Sequence, residues 1–169
     1  MGAFSGFKGA SRGYVSNPLR GDGRYVARID ECAMFDTESK GEMYKITLTI
    51  LAVAEGERSI GEVVHVFFKV GTNKKMFQQN LKAFIAGVMD VADEEIGESE
   101  AEATISDDNP LAGMVTVVSV RMQAHKEAKN DDGSPVMYAR YGWAPSLDDD
   151  EIVEAIGEDG VAQFFPNGL

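Results

Sequence analysis

Several side chains of this 169-residue chain have the chemistry to hold a flexible polyanion that carries flat rings. Lys45, Thr47, His65, Phe67 and Lys69 fall in two short stretches, and Arg121, Tyr138 and Arg140 in two later ones. Lys40, Lys126 and Lys129 sit in turn-like segments beside them. Ammonium and guanidinium groups neutralise a charged backbone and give affinity that weakens with salt. Aromatic faces give stacking platforms, each worth roughly 1–3 kcal/mol per stacked ring. Phe67 stands two residues from Lys69, and Tyr138 two from Arg140, so platform and charge recur at strand spacing.

These residues need strands to present them. Residues 43–54 alternate, with Tyr44, Ile46, Leu48 and Ile50 to one face and Lys45, Thr47 and Thr49 to the other. Residues 63–70 alternate again: Val64, Val66 and Phe68 oppose His65, Phe67 and Lys69. A period of two marks strands with one buried and one wet face. The whole candidate surface depends on that phase, because a slip of one residue exchanges the faces.

Upstream, residues 25–34 predict a first strand, with Tyr25, Ala27 and Ile29 inward and Arg28 outward. Residues 36–42, which contain Lys40-Gly41, form the turn that follows. Downstream, Phe77, Leu81, Phe84, Ile85, Val88 and Met89 recur at helical spacing, behind Thr72 or Asn73 as a cap. Residues 97–108 are acidic and predict a loop with at most a short helical turn. Residues 114–125 predict a fourth strand, with Val118, Val120 and Met122 inward and Ser119, Arg121 and Gln123 outward. Asn130-Asp131-Asp132-Gly133 is a hairpin turn signal. Residues 136–143 give the fifth strand, with Tyr138 and Arg140 on its outer face and Trp143 in phase with the inward residues.

Three strands, a helix and two strands form the order of a mainly β, five-stranded OB-fold barrel. In that fold the face of strands 2 and 3 and the 1–2 and 4–5 loops bind oligonucleotides or sugars. The barrel would occupy residues 25–145. Residues 1–24, rich in Gly and Ser with Phe4, Phe7, Lys8, Arg12, Tyr14, Arg20 and Arg24 interleaved, predict a flexible arm. Such an arm is either a solvated terminus or a strand-following extension. Residues 146–169 predict an acidic tail, which opens on four acids, Asp148 to Glu151, and either solvates the chain or docks on a basic partner.

A net charge of −12 argues against a nucleic-acid ligand until its distribution is considered. Residues 90–108 hold nine acids and no base, and residues 148–169 hold seven acids and no base. The rest of the chain carries 16 basic and 12 acidic residues, a net +4. No catalytic signature, phosphate-cradling glycine loop or nucleophile elbow is present, which favours a binding protein over an enzyme. His65 and His125 lack neighbours at zinc-ligand spacing, and one cysteine, Cys32, excludes a cysteine-rich site, so no metal or cofactor is expected. Cys32 fits a small core residue. No apolar run is long enough for a bilayer, position 6 is Gly where a myristoylation motif needs Ser or Thr, and no apolar signal core opens the chain. A cytoplasmic protein without membrane partners is the expectation.

Lys40-Gly41-Glu42-Met43-Tyr44, Phe67-Phe68-Lys69, Asn80-Leu81-Lys82-Ala83-Phe84 and Asn109-Pro110-Leu111-Ala112-Gly113 together resemble bacteriophage single-stranded DNA-binding proteins of the OB-fold type. The likeness spans residues 23–145. It implies sequence-independent binding of single-stranded DNA in phage replication, recombination or repair, within the host cytoplasm. It also implies an acidic tail that recruits replication or recombination proteins. The chain departs from that pattern by ending on Phe164-Phe165-Pro166-Asn167-Gly168-Leu169 rather than on acids. The alternative reading is a virion structural or assembly protein that uses the same barrel as an interaction module. Oligomeric state stays open, a homo-oligomer included.

Overall fold

The computed structural model describes residues 16–72 and 74–169. Its strands are β1 (Gly23–Thr37), β2 (Gly41–Glu55), β3 (Val63–Lys69), β4 (Val115–Lys129) and β5 (Pro135–Trp143). They form one antiparallel sheet in the order β3-β2-β1-β4-β5. Helix α1 (Lys74–Met89) connects β3 toward β4, followed by a 3-10 turn (Asp93–Glu95) and α2 (Glu98–Thr104); α3 (Asp149–Phe164) follows β5. The expected sequence of three strands, a helix and two strands is present, with two further helices. Asn73, one of the two candidate caps of α1, lies outside the described residues. No helix among the described residues is long and apolar enough to cross a membrane.

The alternation in β2 and β3 has the phase read from the sequence. Tyr44, Ile46, Leu48, Ile50, Val64, Val66 and Phe68 are each at most 6 % exposed. Full burial of each aliphatic or Phe side chain contributes roughly 1.5–3 kcal/mol. Leu81, Phe84, Ile85 and Val88 of α1 close the same core, against Val118 and Val120 of β4. Met89, expected on that face, is exposed instead. Helix α1 sits tightly on the end of β5: a Cβ at Gly87 would lie 2.8 Å from the Trp143 carbonyl oxygen.

Strand β1 is longer than expected and changes phase. Tyr25, Ala27 and Ile29 are buried as anticipated. A register shift between Ile29 and Glu31 then inserts one residue. Such a bulge flips the side chains beyond it. Cys32 is therefore buried, and Phe35 shares a face with Met43 and Lys45.

The sheet is not closed by strand pairing, since β3 and β5 are its edges. A segment preceding β1 spans part of that gap. The Leu19 N–H donates to the His65 carbonyl at 2.7 Å, and the His65 N–H to the Asn17 carbonyl at 2.9 Å. On the other side, the Tyr141 hydroxyl donates to the Leu19 carbonyl at 2.7 Å and Arg20 donates to the Met137 carbonyl at 2.8 Å. Leu19 is wholly buried. The flexible arm expected over residues 1–24 is thus corrected for residues 17–20, which are fixed against both edges. Arg24 belongs to β1. Phe4, Phe7, Lys8, Arg12 and Tyr14 lie outside the described residues.

The acidic segment is likewise helical where a tail was expected. Asp148 accepts a hydrogen bond from the Glu151 N–H, and Glu151 accepts one from the Asp148 N–H. This reciprocal cap satisfies two orphan donors, and acids in the first turn favour the helix dipole. Ile152 packs with Leu51 and Val115, flanked by Val26, Leu147, Ile156 and Phe164. The backbone turns at Gly157, whose φ of +74° suits a residue without a side chain. Arg28 donates to the Phe164 carbonyl, and its guanidinium lies 5.5 Å from the Phe165 ring. Helix α3 therefore covers one end of the outer sheet face. Thr49, expected on the wet face, is buried there and donates to Asp30.

Candidate nucleic-acid interface

The other end of that outer face gathers five of the candidate residues. Lys45 pairs with Phe67, and Thr47 with His65, in the β2–β3 register, and Lys69 pairs with Met43. Directly paired residues share a face. Their side chains form one wall, half-buried for Lys45, Thr47, His65 and Phe67 and exposed for Lys69. Phe35 completes it: its ring meets Phe67 edge-on at 6.2 Å, and the Lys45 ammonium lies 5.9 Å from its centroid. The His65 ring lies 5.9 Å from Phe67 on the opposite side. Two phenyl rings and an imidazole thus run in a row with lysines among them. Phe35 escaped the sequence reading because it lies one residue past the expected end of the first strand, and the strand's phase continued without the bulge would turn it inward.

His65 ties this wall to the gap-spanning segment. Its Nδ1 accepts a hydrogen bond from the Asn17 N–H at 3.2 Å, which places the proton of the neutral ring on Nε2. Asn17 also donates to Glu62, which pairs with Arg58 at 2.6 Å. The Asn17 and Ser59 donors, with Arg58, hold the Glu62 carboxyl below its ordinary range. Burial, then the Lys45 ammonium, hold the His65 imidazole below its ordinary value of 6.5.

A histidine with a depressed folded-state pKa binds fewer protons folded than unfolded between the two values. Its contribution to stability is therefore present above pH 6.5 and is lost as pH falls toward the folded value. In thermal melts between pH 8 and 5, the wild type is expected to lose more stability than His65→Gln. The gap between the two proteins should narrow as pH falls; parallel curves would refute the linkage.

Three further candidates, Arg121, Tyr138 and Arg140, share a second patch on the β4–β5 pair, and the three rim lysines lie apart from it. Arg121 and Arg140 face each other across β4 and β5. Arg121 also reaches Glu55 at 3.3 Å, with both side chains about half exposed. An exposed pair of this kind contributes little, roughly 0–1 kcal/mol. The Tyr138 hydroxyl donates to Gln123 at 3.0 Å, and its ring meets His125 edge-on at 6.3 Å. Lys40 is exposed in the β1–β2 turn. Lys126 and Lys129 are exposed but belong to β4, not to the loop expected for them. The turn itself is confined to residues 130–134. Strands β1 and β4 pair only between Gly23–Arg28 and Val115–Val120. The two hairpins extend beyond that ladder without pairing to each other.

A cleft of about 380 Å³ links wall and patch where β3 and β5 part. Phe67 comes from the wall, Tyr138 and Arg140 from the patch, and Met76, Gln79, Asn80 and Ala83 of α1 complete the lining. Within the core below, burial pushes the Tyr141 phenol up to about 12 and raises the Cys32 thiol. Neither is an ionised group at neutral pH. Among the described residues, no three His, Cys, Asp or Glu side chains are grouped to hold a metal ion. No protein-family model matches the chain, and no curated protein matches it in sequence.

Proposed function

We propose that this chain is a non-enzymatic, sequence-independent single-stranded DNA-binding protein built on a small barrel of the OB type. The observation that carries the reading is the outer wall of β1, β2 and β3, where Phe35 and Phe67 stand in contact beside Lys45 and Lys69. Bases stack on such rings whatever their identity, while the lysines meet the phosphates. A duplex cannot use the rings, because its bases already stack on one another. Two of the strands involved, β2 and β3, are those whose face carries the ligand in OB folds. Protection of single strands during replication, recombination or repair is the role that fits this chemistry.

Titration of labelled oligo-dT tests the reading. Binding is expected at low salt, with log K falling linearly in log salt by about 0.7 per phosphate neutralised. Absence of binding at low salt, or binding indifferent to salt, ends the proposal.

A further inference from the structure

We infer that the cleft between β3, α1 and β5 takes one unstacked base of the bound strand, so that α1 is part of the binding site. This rests on the single-strand reading above and adds a subsite to it. The cleft exists because the edge strands β3 and β5 do not pair and are bridged instead through Leu19 and Arg20. Its volume of about 380 Å³ lies within the roughly 300–1,000 Å³ range of small-molecule sites.

The lining suits a base rather than an apolar side chain. Tyr141 and Trp143, both half-buried, supply aromatic surface, and Met76 of α1 adds an exposed thioether beside them. Ala83 of α1 and Ala139 of β5 are small, which leaves the space open. Asn80, on an exposed turn of α1, offers an amide with both donors and an acceptor. An amide can turn to match the edge of any base, so it adds hydrogen bonds without demanding a sequence. Arg140 at the rim meets the adjoining phosphate, and Phe67 belongs to both cleft and wall. A strand stacked along the wall therefore reaches Arg140 by passing over the cleft. This path joins two patches that lie on different strand pairs.

Trp143 is the only tryptophan of the chain and lines the cleft, so its emission reports occupancy. Anisotropy of an end-labelled oligo-dT reports binding independently. Oligo-dT is expected to quench Trp143 with the same midpoint as the anisotropy rise. A base-free deoxyribose-phosphate oligomer should bind without quenching. Ala83→Leu, which fills the cleft from an exposed helical position, should weaken oligo-dT about tenfold and abolish quenching. Its affinity for the base-free oligomer should not change. Full anisotropy with unaltered Trp143 emission, or equal losses toward both oligomers in Ala83→Leu, overturns the subsite and leaves the single-strand reading standing. No anisotropy change with oligo-dT at low salt overturns both.

Discussion

Phe67→Ala combined with Lys69→Ala is expected to weaken oligo-dT binding at low salt by about 10- to 100-fold, with the thermal midpoint little changed. The magnitude follows from one stacking platform at roughly 1–3 kcal/mol and one lost phosphate contact, at 1.4 kcal/mol per tenfold. The Phe67 ring borders Phe35 and His65 on the outer wall, while the β3 core residues Val64, Val66 and Phe68 are untouched. Stability should therefore survive, and a melt alongside the anisotropy titration separates the two effects. The salt slope should also become shallower by about 0.7, the share of a single phosphate. Unchanged affinity would remove this wall from the binding site.

The largest stability effect is expected at Phe84. Its ring is fully buried and meets Trp143 at 4.5 Å, nearly edge-on, where α1 seats on β5. Replacing a buried Phe by Ala costs about 3–5 kcal/mol, because the neighbours only partly fill the void. For a chain of this size each kcal/mol lowers the midpoint by about 2–4 °C. Phe84→Ala should therefore melt roughly 6–20 °C below the parent, with a reduced near-ultraviolet signal from Trp143. A loss below about 1 kcal/mol would mean that the helix does not depend on this contact. Because Trp143 also lines the cleft, oligo-dT quenching in the variant shows whether that wall has shifted.

The parts of the molecule visible in the sequence are those with an unbroken local period. Residues 43–54 and 63–70 alternate without interruption, so Lys45, Thr47, His65, Phe67 and Lys69 could be assigned one face directly. The helical stripe from Phe77 to Val88 was equally plain. What stayed hidden depends on a break in period or on distant contacts. The bulge after Ile29 reverses the faces of β1, nothing in Asp30-Glu31 announces it, and Phe35 lies one residue past the expected end of that strand. Leu19 has no local period to place it within a Gly- and Ser-rich arm, yet its partners lie on β3 and β5. Helix α3 could have been found. Asp148 and Glu151 have capping-box spacing, and Ile152 and Ile156 follow at helical spacing, but four successive acids read more readily as a solvated run.

The bridge at Leu19 and Arg20 also bears on how the chain reaches this state. Its hydrogen bonds to β5 join residues 117 and 122 positions apart. A ribosome releases the bridging segment more than a hundred residues before its β5 partners. At about 5–20 residues per second, the β5 partners of the segment follow it by about 6–24 seconds. Contacts of such separation are slow to form, since a long loop must be ordered before they add stability. The segment can meet β3 as soon as that strand is made, whereas its contacts to β5 must wait for the last strand of the sheet.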